Sequence, residues 1–350
     1  MKEYKVIGLM SGTSLDGLDV CYAVFTHENE KWTYTIQAAE TFPYSPKIKE
    51  SLENAHLLSA LDFILLSKQY GRFIGKMTNV FMEAYNCRPN FIASHGHTVF
   101  HQPEIQLTYQ IGDGASIAAT TLLPVICDFR NFDVALGGQG APLVPIGDRL
   151  LFTDYDYCLN IGGFSNISFD ENNTRIAYDI CPANIVMNHY AQKKAKNYDN
   201  GGEMASAGKV CTQLLEKLNA LEFYFKNHPK SLGREWVEKE FLPLTESFDI
   251  SIEDKLSTIC EHIAIQIANN CKTGKLLITG GGAYNTHLIN RIKQHSACEL
   301  VIPDKLTIDF KEALIFAFLG VLYIERQNNC LASVTGSKLD SIGGAMYNPL

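Results

Sequence analysis

A chain of 350 residues, 46% hydrophobic and 19% charged, is long enough for two domains with separate cores and too apolar for disorder. Thirty basic against 38 acidic side chains leave a net charge of −8 with no basic tract, which argues against nucleic acid or an anionic membrane as partner. The longest apolar run, 313–324, falls short of the roughly 20 residues that span a bilayer and reads as a buried helix.

Residues 5–10 read as a buried strand and 19–25 as a second one. The turn between them, Ser11-Gly12-Thr13-Ser14-Leu15-Asp16-Gly17, is longer than a hairpin needs. Hydroxyls at Ser11, Thr13 and Ser14, with backbone N–H groups freed by Gly12 and Gly17, make an anion cradle. Asp16 would repel a phosphate unless a metal stood between, so a phosphate with Mg²⁺ accounts for the acid; a plain hairpin is the alternative. No P-loop signature is present, so a nucleotide here implies a different nucleotide fold.

A third strand is expected at 32–40, and Leu61, Ile64, Leu65, Phe73, Ile74, Met77, Val80 and Phe81 recur at helical spacing. Strand 91–94 runs into His95-Gly96-His97-Thr98-Val99-Phe100-His101, where three histidines share a strand face. No carboxylate or cysteine completes a zinc set, which leaves hydrogen bonding to a polar substrate or plain packing. Strand 124–127 ends at Asp128, two residues before Arg130; strand ends of α/β folds face ligands, so Asp128 is a candidate general base, with a structural Asp–Arg pair as the alternative.

The glycine-rich stretch 136–142 is the best candidate domain boundary. Beyond it, strand 157–161, Gly162-Gly163 and an apolar run repeat the opening plan and suggest a duplicated domain with a cleft between the copies. Leu256, Ile259, Ile263 and Ile267 form a helical stripe opened by Ser251-x-x-Asp254. Strand 276–279 ends in Gly280-Gly281-Gly282, which clears space for a flat ring against backbone, or merely makes a tight connection to helix 286–295. A last strand is expected at 300–302. The alternation of strands and helices is α/β architecture. Ten scattered cysteines without a C-x-x-C pair read as reduced thiols, and no secretory leader pattern opens the sequence, so a cytoplasmic location is expected.

In order along the chain, "GLMSGTSLDGLDV", "SHGHTVFHQP", "QIGDGASIA", "CDFRNFDVALGGQGAPLVP", "LNIGGFSNI", "PKSLGRE", "TGGGAYN" and "SVTGS" resemble the anhydro-N-acetylmuramic acid kinases of bacterial cell-wall recycling. The resemblance implies two ribonuclease-H-like domains of the actin and sugar-kinase type flanking a cleft, at 1–145 and 146–325, with 326–350 as a tail. It makes Ser11, Gly12, Thr13, Ser14, Leu15, Asp16, Gly17, Leu18 and Asp19 the first ATP phosphate loop. Gly162, Gly163 and Asn166 become the second, and Gly280, Gly281 and Gly282 the adenosine site. Asp128 matches the catalytic aspartate, Asp16 is expected to face Mg²⁺ through water, and His97, Thr98, His101, Arg130 and Glu312 are candidate sugar contacts.

The implied reaction takes 1,6-anhydro-N-acetylmuramic acid, ATP and water to N-acetylmuramic acid 6-phosphate and ADP. Two positions depart from the family pattern. Gly96-His97-Thr98 stands where Gly-Gln-Thr is usual, and Asp179-Ile180-Cys181-Pro182-Ala183-Asn184 where Asp-Thr-Gly-Pro-Gly-Asn is usual. The alternatives are a kinase of the same fold on another amino sugar, or a non-catalytic actin-like nucleotide switch. Partners are then small molecules only, and oligomeric state, a homodimer included, is open.

Overall fold

The computed structural model describes residues 2–12 and 14–349. The chain divides into two compact units, one of Met1–Leu151 with Phe310–Leu350, the other of Phe152–Asp309.

The first unit is built on β1 (Lys2–Ser11), β2 (Gly17–Glu28), β3 (Lys31–Pro43), β4 (Phe91–Gln102), β5 (Leu107–Ile111) and β6 (Val125–Cys127). β1, β2 and β3 form an antiparallel meander. β4 lies parallel to β1 on its other side, and β6 parallel to β4, giving the order β3-β2-β1-β4-β6. β1 is buried on both faces from Val6 onward, which is why that stretch reads as an unbroken apolar run. On one face Ile7 and Leu9 pack with Ile74 and Phe81 of the helix Ala60–Ala84. On the other face Gly8 lies so close to the helix Lys305–Ile324 that a Cβ there would sit 1.9 Å from the Ala313 carbonyl.

The second unit repeats this order. β7 (Tyr157–Ile161), β8 (Phe164–Glu171) and β9 (Thr174–Pro182) are an antiparallel meander. β10 (Lys275–Thr279) and β11 (Glu299–Val301) add parallel strands, giving β9-β8-β7-β10-β11. The duplication hinted at by the two glycine hairpins is therefore present at the level of topology. Leu256, Ile259, Ile263 and Ile267 of the helix Ile252–Asn270 pack on this sheet, and the Ser251 side chain caps that helix by accepting from the Asp254 N–H at 3.0 Å.

Two features differ from the expectations above. The helix Ala60–Ala84 forms, but Leu61, Ile64 and Leu65 in its first turns are exposed, and there Phe63 and Leu66 pack on the core instead. Residues 310–350 join the first unit, where the expected boundary at 325 would leave 310–325 with the second. The physical reason is long-range contact: the helix Lys305–Ile324 lies against Gly8 of β1, and β12 (Ala345–Tyr347) extends the first sheet antiparallel to β6, with Asn329 bonding the Gly343 backbone at 2.7 and 2.9 Å to shape the tail between them. All ten cysteines are free thiols, and among the described residues no helix is long and apolar enough to cross a membrane.

Candidate active site

In the first unit the β1–β2 turn is a strained loop pinned at several points. Leu15 is held at φ +56° with its side chain buried in the core, a conformation costly for a bulky residue. Gly17 leaves no room for a side chain, since a Cβ would meet the Phe42 carbonyl at 2.6 Å. Gly12 is half-buried, Ser14 and Asp16 are exposed, Leu18 is buried, and Asp19 is half-buried and accepts from the Thr41 hydroxyl at 2.6 Å. Thr13 lies outside the described residues. Ser11 faces inward: its Oγ accepts from the Tyr44 hydroxyl at 2.7 Å and lies 3.2 Å from His97 Nδ1. Its side chain therefore anchors the loop.

Asp128 follows the last residue of β6 in the left-handed conformation, φ +61°, which Asp and Asn tolerate better than other L residues. That turn aims its carboxylate at a cavity of about 160 Å³ whose wall includes Ser94, His95, Gln110, Asp113 and Asn131. Asp128 Oδ1 accepts from Asn131 Nδ2 at 2.7 Å. The side chain reaches solvent at the cavity mouth, yet the protein crowded around it raises its pKa above the ordinary carboxylate value, with the Asn131 bonds opposing. Cys127 lines the same cavity with its thiol pushed up to about 12, and so stays protonated. Ser94 contributes a buried Oγ that finds no hydrogen-bond partner among the described residues.

Behind this cavity the guanidinium of Arg130 is fixed from two sides. Its Nε donates to His95 Nε2 at 2.9 Å and its Nη1 to the Gly140 carbonyl at 2.6 Å. Because Nε2 accepts, His95 is neutral and carries its proton on Nδ1, which donates to the Gly96 carbonyl at 2.9 Å. Burial and the neighbouring cation push its pKa well below the ordinary histidine value. Both ring nitrogens are thus engaged, which removes His95 from any metal set; among the described residues no group of three or more His, Cys, Asp or Glu is placed to hold an ion.

The loop carrying Gly140 is tied in turn to buried Asp133, which accepts from the Gly140 N–H at 2.8 Å and the Thr335 hydroxyl at 2.7 Å. Asp133, 202 residues before Thr335, thereby joins "GGQGAP" to "SVTGS". Glu312 is solvent-accessible, but surrounding protein raises its pKa while Arg130 pulls it down; Asp19 adds to the rise, so these three groups share one region. Thr98 is half-buried on β4. His101 is exposed farther along that strand, with Nδ1 3.2 Å from Thr108 Oγ1 on β5. His97, Thr98, His101, Arg130 and Glu312 do not line the Asp128 cavity.

In the second unit the structure brings the β7–β8 hairpin and the triple glycine together. β10 runs parallel beside β7, so Gly280 and Gly282 abut Ile161: a Cβ at Gly282 would sit 2.2 Å from its Cγ2. Gly281 is exposed, and a Cβ there would meet nothing closer than Asn184 Nδ2 at 3.6 Å. The Gly163 carbonyl accepts from the N–H groups of Ala183 and Ile185 at 2.8 and 3.1 Å. Asn166 is half-buried on β8, paired with Asn160. The departures at Cys181 and Ala183 bury both side chains in the core, while their backbone still supports the hairpin. Asp179 accepts from the Leu232 N–H at 2.8 Å, fastening "PKSLGRE" to the same segment.

Sequence reasoning missed Tyr44, Tyr70 and Asp133, and it left His95 between a substrate hydrogen bond and plain packing without finding Arg130 as its partner. No local pattern marks these residues, since their partners lie far along the chain.

Two units with one strand order, each carrying a glycine hairpin between its first two strands, define a protein of the actin and sugar-kinase class. A family model described as anhydro-N-acetylmuramic acid kinase matches residues 4–349. The anhydro-N-acetylmuramic acid kinase of Mannheimia succiniciproducens is 36% identical, with 99% of each chain covered. That of Saccharophagus degradans is 33% identical over the whole of both. The chain belongs to the anhydro-N-acetylmuramic acid kinase family. Among solved structures, the (R)-2-hydroxyglutaryl-CoA dehydratase component A of Acidaminococcus fermentans is similar at 12% identity and a TM-score of 0.47, covering 90% of this chain and 96% of that one. A ROK family glucokinase from Streptomyces griseus, in complex with glucose and AMPPNP, is similar at 10% identity and a TM-score of 0.41, covering 90% and 98%.

Proposed function

We propose that the chain is a cytoplasmic ATP-dependent kinase that opens the 1,6-anhydro bond of anhydro-N-acetylmuramic acid with water and phosphorylates O6, giving N-acetylmuramic acid 6-phosphate and ADP. The observation that carries this reading, beside family membership, is Asp128: a carboxylate turned by a left-handed residue into a cavity, with a raised pKa. Asp128 takes a proton from water as its oxygen bonds to C1. The C1–O6 bond breaks, O6 takes the γ-phosphoryl group, and ADP departs. The bridge oxygen is both leaving group and nucleophile, so positioning and charge neutralisation supply the remaining catalysis.

In the first unit residues 11–19 are the proposed ATP phosphate loop, and in the second Gly162, Gly163, Asn166 and the glycines 280–282 are the proposed nucleotide contacts. Asp16, an exposed oxygen donor on the loop, suits an ion that takes one or two carboxylates beside phosphate and water. When bound, Mg²⁺ neutralises phosphate charge. Arg130, fixed by His95 and Gly140, and nearby Glu312 stand outside the wall of the Asp128 cavity and would reach only the parts of the sugar that extend beyond it.

Reaction in ¹⁸O-water tests the mechanism. One ¹⁸O at C1 of the product and phosphate on O6 are expected; phosphorylation without incorporation at C1 would overturn the role of Asp128. Turnover of another amino sugar in preference to the anhydro sugar would overturn the substrate.

A further inference from the structure

Gly12, Gly17 and the left-handed Leu15 of the loop cost conformational entropy to order, so contacts that fix them matter. Tyr44, just beyond β3, touches it twice. Its hydroxyl donates to Ser11 Oγ at 2.7 Å, at the start of the loop, and its backbone N–H donates to the Asp16 carbonyl at 3.4 Å, near the end. The Tyr44 hydroxyl is itself 2.6 Å from that of Tyr70, on the helix Ala60–Ala84. On the other side of Ser11 stands His97 Nδ1, brought there by the parallel β1–β4 register in which Ser11 pairs with His97 across a bulge.

Ser11, His97 and Tyr70 are 2%, 5% and 4% exposed, so the chain of polar atoms is shielded from competing water. Burial raises the pKa of both tyrosines, which keeps them protonated as donors. With Tyr44 donating to Ser11, Tyr70 supplies the proton for the Tyr–Tyr bond.

We propose that Tyr44 and His97 are positioning residues that clasp the loop from both sides and hold its backbone N–H groups in place for the triphosphate. The inference rests on the reading of residues 11–19 as an ATP phosphate loop. A clasped loop does not lose that freedom on binding, so the clasp appears in nucleotide affinity and leaves the sugar site untouched.

The test uses the full chain with Tyr44→Phe, His97→Leu, His97→Asn, Ser11→Ala and the double variants with Ser11→Ala. Measurements are ADP affinity with Mg²⁺, KM for ATP and for the sugar, and hydrogen exchange of the loop. Tyr44→Phe removes one oxygen and keeps the ring packed, so the fold is retained. Loss of one buried hydrogen bond predicts about a three- to tenfold weaker nucleotide affinity. Sugar KM should change less than twofold, and loop exchange should be faster. His97→Asn, which keeps a polar atom at the Nδ1 position, should restore most of what His97→Leu loses. Either change added to Ser11→Ala should cost nothing more.

Gly12→Val separates this inference from its premise. Among the described residues a Cβ at Gly12 meets nothing closer than Ser14 Oγ, at 3.6 Å, so the variant should fold while crowding the cradle. Weak nucleotide binding by Gly12→Val with parent-like Tyr44→Phe and His97→Leu overturns the clasp and leaves the phosphate loop standing. Multiplicative effects in the double variants, or equal loss in His97→Asn and His97→Leu, also overturn the clasp. Parent-like binding by Gly12→Val overturns the phosphate loop itself, and the clasp with it.

Discussion

Replacing Asp128 by asparagine removes one proton-accepting group and almost nothing else. Asparagine tolerates the left-handed φ of +61°, and its carbonyl oxygen can still accept from Asn131 Nδ2. A positioned general base contributes about 10²–10⁴ in rate, or roughly 3–5.5 kcal/mol of barrier, so kcat should fall by that factor. Nucleotide affinity should stay within about twofold. Because burial raises the Asp128 pKa, the native fold binds this proton more tightly than the unfolded chain does. Its ionisation therefore opposes folding above the folded pKa, and the opposition disappears as pH falls through that value. Asp128→Asn should accordingly melt no lower than the parent at neutral pH, and any gain should vanish in acid.

Asp128→Ala should behave differently, because alanine in the left-handed region costs about 1–2 kcal/mol and also loses the Asn131 bond. Stopped-time product assays, calorimetric ADP titration and thermal melts across pH make the comparison. The parent's kcat should also fall as pH drops through a value above the ordinary carboxylate range. Asp128→Asn turnover within tenfold of the parent, or a parallel loss of ADP affinity, would refute the reasoning.

Other outcomes follow from the same geometry. Asp16→Asn should raise the Mg²⁺ concentration needed for half-maximal turnover severalfold, and an unchanged Mg²⁺ titration would count against its metal role. Gly281→Ala should weaken nucleotide binding without lowering the melting temperature. Gly282→Ala, whose methyl would collide with Ile161, should destabilise by about 1–3 kcal/mol as overpacking does; equal melting of the two variants would contradict the packing. His262 is buried among Asn219 and Tyr224, and burial lowers its pKa to about 3. The unfolded chain then binds the extra proton between about pH 6.5 and pH 3, so stability should fall by a few kcal/mol as pH drops through that window. Urea melts of His262→Phe against the parent should show a shallower acid dependence.

The amino-acid sequence determined what is local. Buried runs such as 5–10 and 157–161, the oversized turn at 11–17 and the glycines at 280–282 announce their elements within a few residues, because strand period and turn geometry are short-range properties. The motif series further fixed the family, and with it the expectation that Asp128 is the base. Tertiary structure alone decided how these pieces are held. Ser11 turns inward because Tyr44 and His97 arrive from β3 and β4; Arg130 is aimed by His95, 35 residues before it, and by a loop fastened to Thr335. Residues 310–350 return to the first unit, where the edge of β6 offers β12 a hydrogen-bonding partner. Such partners are chosen by burial and backbone pairing across more than 200 residues, a distance over which no sequence period carries information.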